Sequence, residues 1–320
     1  MKVLILGGAG FIGTAIREEL KKVGHVVTAF SRANGDRRKL ADLEKVAGAG
    51  PWDVVIDNCG YTAADMDLFF KAFGKKAGRL IFTSTVSVYR FNKETFFQPL
   101  REDDIDYAIR PSNEDPNNVH WKYARGKLEA EAVIRKQKEV PWTIFRPSVV
   151  YGPRDSKDRI FWYLSRLVKG GPILLANDGA QSFRLTYSED VARAYAKAIE
   201  LTESKNQVYY LAQREIVTFK MLLEKSAEAL KIPLETISVP LEMLGDLAGP
   251  MGGFGNFVPD ITKVTKELDF APTPFEKFAV STAKWFRDHW IGDEQALLSS
   301  RDAELAFAQK WKTKVLPLFT

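Results

Sequence analysis

Cysteine is almost missing from this chain. Cys59 is the single one in 320 residues, so no internal disulfide can form. No secretory leader is expected either. The apolar run Val3, Leu4, Ile5, Leu6 is broken at once by Gly7, Gly8, Gly10 and Gly13, and charged Arg17, Glu18 and Glu19 follow. Together these predict a reducing cytoplasm. No apolar run reaches the length of a membrane span, so no membrane partner is expected. Histidine is scarce, and His25, His120 and His289 lie far apart with no cysteine cluster, which argues against a metal site. One-sided charge is also lacking. The 46 basic and 41 acidic residues leave a net charge of +5. That mild excess suits an anionic ligand, but without a concentrated basic-aromatic patch it argues against nucleic acid. Internal repeats and low-complexity stretches are absent. A hydrophobic content of 45% with 27% charged residues describes an ordinary globular protein, and the length allows two sub-domains.

What is present begins with LGGAGFIG, residues 6–13. An ordinary strand-to-helix turn accounts for one or two glycines, not four. Gly8-x-Gly10-x-x-Gly13 fits the dinucleotide fingerprint, and Gly7-x-x-Gly10-x-x-Gly13 fits its wider variant. In such a loop one glycine permits the tight turn, a second lets the backbone approach a pyrophosphate, and a third lets helix and strand pack closely. The amphipathic Ile12, Ala15, Ile16, Leu20 pattern after it predicts a helix whose free N–H groups face the anion, so backbone contacts are expected around Gly10, Phe11 and Ile12.

Apolar runs at 3–6, 26–30, 53–57, 79–85 and 143–150 alternate with helical patterns near 12–22, 63–74 and 119–137. Strands separated by helices predict an α/β fold: a Rossmann-type, doubly wound parallel sheet. Residues 31–50 hold no apolar run, so the strand that a full dinucleotide sheet would place there is shortened or absent. After residue 150 the pattern loosens. Helices are expected near 159–168 and 188–201, and strands at 172–176, 184–187 and 207–212, the last returning to the sheet. The expected division is a dinucleotide-binding domain over 1–150 with a return segment near 183–215. A smaller mixed substrate-binding sub-domain covers 151–292, and a helical tail covers 293–320, with Ser299 and Asp302 as a capping box.

Tyr123 and Lys127 stand four apart in YARGK, on one face of a predicted helix. A tyrosine hydroxyl titrates near 10, and a neighbouring ammonium stabilises its phenolate, so the pair can give and take protons. Taken alone, the pair is better read as a surface tyrosine and lysine that happen to fall at helical spacing, because the pattern is common. The stretch FTSTVSVYR (82–90) ends a predicted strand and offers the hydroxyls of Ser84, Thr85 and Ser87 where open parallel sheets bind ligands.

GGAGFIG, TSTVSVY, Tyr123-x-x-x-Lys127, RPSVVYGP (146–153) and SEDVARA (188–194) together resemble the extended short-chain dehydrogenase/reductase superfamily, over roughly residues 1–290. That group includes UDP-galactose 4-epimerase and the nucleotide-sugar dehydratases. The resemblance implies an enzyme that moves hydride at a carbinol or carbonyl carbon of a sugar or sugar derivative, as an epimerase or a ketoreductase. It implies Tyr123 as acid/base, Lys127 on the ribose and beside Tyr123, and Thr85 on the reacting oxygen. Further cofactor contacts are implied for Gly7, Gly10, Phe11, Ile12, Gly13, Ser31, Arg32, Arg37, Asn58, Cys59, Gly60 and Pro147, and substrate contacts for Ser87, Tyr151 and Arg184. A homodimer built on the helices near 63–74 and 119–137 is also implied, with Leu68, Phe69, Ala130 and Val133 at its interface.

The chain departs from the superfamily pattern at Val86 and Ser87, where dehydratases carry Asp-Glu, which disfavours dehydration. Phe183, with Arg184 beside it, stands where an arginine usually binds the sugar-nucleotide pyrophosphate. The second strand ends in Ser31 and Arg32 rather than an acidic residue, with Arg37 and Arg38 close by, which favours NADP(H) over NAD(H). FSR, GDRR and DNCGY are similar to a divergent branch that contains chloroplast stem-loop-binding proteins. The alternative reading is therefore a nucleotide-regulated RNA-binding protein without redox turnover.

Overall fold

The computed structural model describes residues 1–92, 99–155, 157–253 and 255–318. The chain forms two compact units. The first comprises Met1–Val150, Leu185–Gln213 and Pro259–Pro272, and the second Tyr151–Arg184, Arg214–Val258 and Thr273–Thr320.

The first unit is built on a six-stranded sheet. Its strands are β1 (Lys2–Leu6), β2 (Val26–Phe30), β3 (Val54–Asp57), β4 (Leu80–Thr83), β5 (Trp142–Pro147) and the returning strand Gln207–Leu211. They run in the order Gln207–Leu211, β5, β4, β3, β1, β2, and every pairing is parallel. Successive side chains of a strand point to opposite faces. Val3 and Ile5 accordingly pack with Ile16 and Leu20 of α1 (Phe11–Lys22) and with the helix Ser188–Glu200. Leu4 and Leu6 pack on the other face with α2 (Leu40–Gly48), α3 (Ala63–Phe73) and α4 (Val119–Lys136). Both faces are covered, which is why these strands read as unbroken apolar runs.

The sequence 31–50 contains no strand. A loop leads into α2, which contributes Leu43 and Ala47 to the core, and β2 becomes the edge of the sheet, with Val26 exposed. Pro259–Pro272 is a second return to the first unit that sequence periodicity did not indicate.

The second unit pairs Ile173–Ala176 with Thr236–Val239 in parallel and Ser182–Phe183 with Val217–Thr218 in antiparallel. The tail belongs to this unit. Its helix Arg301–Lys310 places Glu304 against the buried Arg166, with contacts of 2.8 and 2.6 Å. The expected capping box at Ser299 does not form. Ser300 is the N-cap, and its hydroxyl donates to Glu304 at 2.6 Å, because a buried carboxylate needs every donor it can reach.

A second buried pair lies inside the first unit. Arg146 on β5 and Glu131 on α4 are both fully buried and bonded in a fork, with distances of 3.0 and 2.7 Å. Ser84 and Tyr107 also donate to the Glu131 carboxylate. These contacts outweigh the burial and hold the Glu131 carboxyl below its ordinary range. Removing one member of such a pair strands the other as a bare buried charge. Arg146→Met is expected to cost about 3–5 kcal/mol of stability. Chemical denaturation measures it, and a loss under about 1 kcal/mol would show that the pair contributes little net.

Candidate active site

The glycine loop divides its work unevenly. Gly7 turns the chain with φ +82°, a conformation that favours glycine. A Cβ on Gly8 would meet the Ala29 Cβ at 2.7 Å, and one on Gly13 would meet the Gly7 carbonyl oxygen at 2.2 Å. Both are therefore needed to seat α1 against β1 and β2. Gly10 differs. Its φ is an ordinary −78°, and a Cβ there meets only the Gly7 oxygen, at 3.4 Å. Gly10 is the N-cap of α1 and supplies no side-chain cap, and no acidic residue stands in the first turn. This helix end keeps room and unmatched N–H groups for an anion. Beside it, Asn58 Oδ1 is buried without a hydrogen-bond partner among the described residues. An open cradle and an unmet buried polar atom fit a dinucleotide.

At the end of β3, Asp57 is wholly buried and accepts from the Gly60 N–H at 2.7 Å and the Cys59 N–H at 3.1 Å. Burial, reinforced by Asp57, pushes the Cys59 thiol up to about 12. It stays protonated, which removes thiolate chemistry from its repertoire.

The three hydroxyls that end β4 take three directions. Thr83 pairs with Tyr195 at 2.6 Å, and Ser84 serves Glu131. Ser84 is thus part of the buried scaffold and not a ligand group. Thr85 is buried at the N-cap of a 3₁₀ turn, Val86–Phe91. Its hydroxyl accepts from the Ser87 N–H at 3.2 Å and donates to the Ser87 hydroxyl at 3.3 Å.

Lys127 on α4 is 2% exposed. Its Nζ donates to the Gly60 and Thr83 carbonyls, each at 2.6 Å, and lies 4.8 and 4.7 Å from the Tyr61 and Phe82 ring centroids. Burial draws its pKa down to about 8, against the opposing pull of Asp57. Tyr123, one helical turn earlier, is 38% exposed, and its ring centroid lies 6.0 Å from that of Tyr61. The grip of Lys127 therefore joins α4 to Gly60 after β3 and to Thr83, two residues before Thr85. Gly126 permits it, since a Cβ there would meet the Tyr61 carbonyl oxygen at 2.6 Å.

The arginines after β2 separate. Arg37, expected at a ribose phosphate, turns inward instead. It pairs with Asp57, meets Asp65 Oδ1 at 2.9 Å and is buried. Arg38 pairs with Asp36 at 3.0 Å. Arg32 stays exposed with no ion pair among the described residues, while the Ser31 hydroxyl donates to Asn34 Oδ1 at 3.1 Å. Pro147 ends β5 in the core. Tyr151 and Arg184 belong to the second unit. Tyr151 is buried with its ring 5.7 Å from that of Phe278, and Arg184 donates its backbone N–H to Phe257 O at 3.2 Å. Sequence reasoning missed Arg37, Asp57, Glu131 and Arg146 as partners. For Asp57 the available signal was a carboxylate ending the apolar run DVVID, and for Glu131, on a charged helix, no comparable signal existed.

A parallel sheet with a glycine cradle at β1 and a Tyr-x-x-x-Lys helix pinned to two strand ends defines a dinucleotide-dependent oxidoreductase-like protein. The chain belongs to the NAD dependent epimerase/dehydratase family, whose model matches residues 45–212, and a model of the RmlD substrate binding domain matches residues 1–67. It is similar to the chloroplast stem-loop binding protein of 41 kDa b of Arabidopsis thaliana, at 28% identity over 71% of this chain. It spans 63% of that protein's length. It is 24% identical to a UDP-N-acetyl-alpha-D-glucosaminuronate decarboxylase of Bacillus cytotoxicus, over 90% of this chain and 98% of that one. The fold is shared with UDP-glucose 4-epimerase of Thermotoga maritima, at TM-score 0.72 and 20% identity, over 90% of this chain and 99% of the other. Among the described residues no helix is long and apolar enough to cross a membrane.

The two glycine positions make a paired test. Gly10→Val is expected to leave thermal stability nearly intact and abolish dinucleotide binding, whereas Gly13→Ala should destabilise the fold itself. Calorimetry and thermal melts check both, and undiminished cofactor affinity in Gly10→Val would refute the cradle.

Proposed function

We propose that this protein is an NAD(P)-dependent enzyme that moves hydride at a carbinol or carbonyl carbon of a polar, sugar-like substrate, as a ketoreductase or an epimerase. The observation that carries the reading is the Lys127 ammonium, buried and gripped by Gly60 O and Thr83 O, one helical turn after Tyr123. An ordinary surface lysine gains nothing from such burial.

The nicotinamide, when bound, supplies or accepts the hydride. Gly7, Gly10, Phe11, Ile12 and Gly13 would hold its pyrophosphate, and Asn58, Cys59, Gly60 and Pro147 would line the same cleft. The Tyr123 hydroxyl gives a proton to the substrate oxygen or takes one from it. Lys127 stabilises the resulting phenolate through its charge, and the remaining hydrogen of its ammonium suits a ribose hydroxyl. The Thr85 hydroxyl, backed by Ser87, holds the substrate oxygen.

NADP(H) is the preferred cofactor in this reading. The end of β2 offers no carboxylate to repel a 2′-phosphate, and Arg32 keeps a free fork of donors. A cell's reduced NADP pool would then drive net reduction in a reducing cytoplasm. The implied homodimer has a thinner basis: Phe69 and Ala130 lie in the chain's own core, leaving half-buried Leu68 and Val133 as contacts. Micromolar light scattering decides it. The likeness to a chloroplast stem-loop binding protein favours a second reading, RNA binding without turnover, which gives Thr85, Tyr123 and Lys127 no common task.

Tyr123→Phe keeps the ring and loses the proton, so binding should persist while turnover falls at least about 10²–10⁴-fold. Turnover equal to wild type in that variant would end the enzymatic reading. The pH profile carries a further sign. Lys127 is charged below about 8 and neutral above it, so kcat/KM should decline as pH rises through that value. Lys127→Met should be slower at every pH and lack the descending limb. For cofactor choice, Arg32→Ala is expected to weaken NADP(H) binding by about 1.5–3 kcal/mol and to leave NAD(H) almost unchanged. A wild-type preference for NAD(H) would overturn the NADP(H) assignment.

A further inference from the structure

The 3₁₀ turn Val86–Phe91 has three residues per turn, so side chains three apart eclipse one another. Val88 and Phe91 form its buried face, within an apolar cluster that includes Ala124 and Leu128 of α4. Ser87 and Arg90 share the half-exposed face. Ser87 is the residue that touches the Thr85 hydroxyl. Arg90 therefore stands one turn beyond the group that holds the reacting oxygen, about 6 Å along the axis.

Among the described residues, Arg90 is oriented by aromatic rings. Its guanidinium lies 5.0 Å from the Trp121 ring centroid and 5.6 Å from that of Tyr89. Trp121 is itself fixed by an edge contact with Phe91 at 5.7 Å. Arg90 has no ion pair among the described residues, and its Nε is buried without an acceptor. Arg37, Arg125 and Arg146 by contrast each meet a carboxylate. A guanidinium stacked on a ring keeps its edge of N–H donors directed sideways, suited to a planar or tetrahedral oxyanion. An unmet buried donor is unfavourable until such a group arrives.

Building on the hydride-transfer reading, we propose that Arg90 binds an anionic group of the substrate, a carboxylate or a phosphate ester, carried on the molecule whose reacting oxygen meets Thr85. The substrate is thus an acidic sugar derivative, and Arg90 determines specificity without taking part in proton or hydride movement.

The test uses the full chain saturated with NADP⁺ and three probes: D-glucuronate, glucose 6-phosphate and neutral glucose. Calorimetry on wild type should show at least one anionic sugar binding about tenfold or more tightly than glucose, the gain of one charge-assisted contact. Which anion gains tells carboxylate from phosphate. Arg90→Gln should erase the difference while leaving glucose and NADP⁺ affinity alone, and Arg90→Lys should keep part of it. The proposal is overturned if wild type gains nothing from either anion, or if the gain survives in Arg90→Gln. Failure of wild type to bind NADP⁺ at all would instead bring down the hydride-transfer reading on which it rests.

Discussion

A buried ammonium needs acceptors, and the site is arranged around that need. Lys127 enters the interior from α4, where desolvation penalises its charge. The nearest acceptors are main-chain carbonyls at the carboxyl ends of β3 and β4, Gly60 and Thr83. Meeting them draws α4 down until Gly126 lies against the Tyr61 carbonyl, a distance only a residue without Cβ allows. The same movement fixes Tyr123 one turn away. The placement of the Tyr123 hydroxyl thus follows from satisfying a charge.

The charges around this ammonium come in compensated sets. Asp57 lies on one side and is matched by Arg37, while Glu131, one turn along α4, is matched by Arg146. Each carboxylate also collects neutral donors: Cys59 and Gly60 N–H on Asp57, Ser84 and Tyr107 hydroxyls on Glu131. Such fully bonded networks are rigid, since any displaced member leaves an unmet partner in a low-dielectric interior. They join β3, β4, β5 and α4 at the sheet end where the glycine cradle opens.

Much of this was legible from residue pattern. Buried parallel strands announce themselves as apolar runs, and closely spaced glycines between a strand and a helix mark a tight turn, close helix packing and an open helix end at once. Spacing alone set Tyr123 and Lys127 on one helix face and offered Ser84, Thr85 and Ser87 at one strand end, and the choice of Thr85 among them came from the family resemblance. Arg37 misled for a physical reason: its side chain is long enough to turn either way, and the choice depends on Asp57 and Asp65, 20 and 28 residues away. The partnership of Glu131 with Arg146 was hidden similarly, because an ion pair between a helix and a strand leaves no periodic trace. The return segment Pro259–Pro272 has no strand or long helix to signal it.

The missing strand between β2 and α2 ties these threads together. Where a further β-strand would extend the sheet, the chain instead carries a polar loop whose one inward side chain, Arg37, reaches beneath the cleft to Asp57. The loop gives up the backbone ladder a strand would offer and is held by ion pairs: Arg37 with Asp57 and Asp65, Arg38 with Asp36. That arrangement uses up the two later arginines and leaves Arg32, at the end of β2, exposed with no ion pair among the described residues. A shortened sheet and an uncommitted cation beside the cleft are therefore one structural decision. The loop that replaces the strand is held by its own charges, Arg37 turned inward to Asp57 and Asp65 and Arg38 paired with Asp36 at the surface.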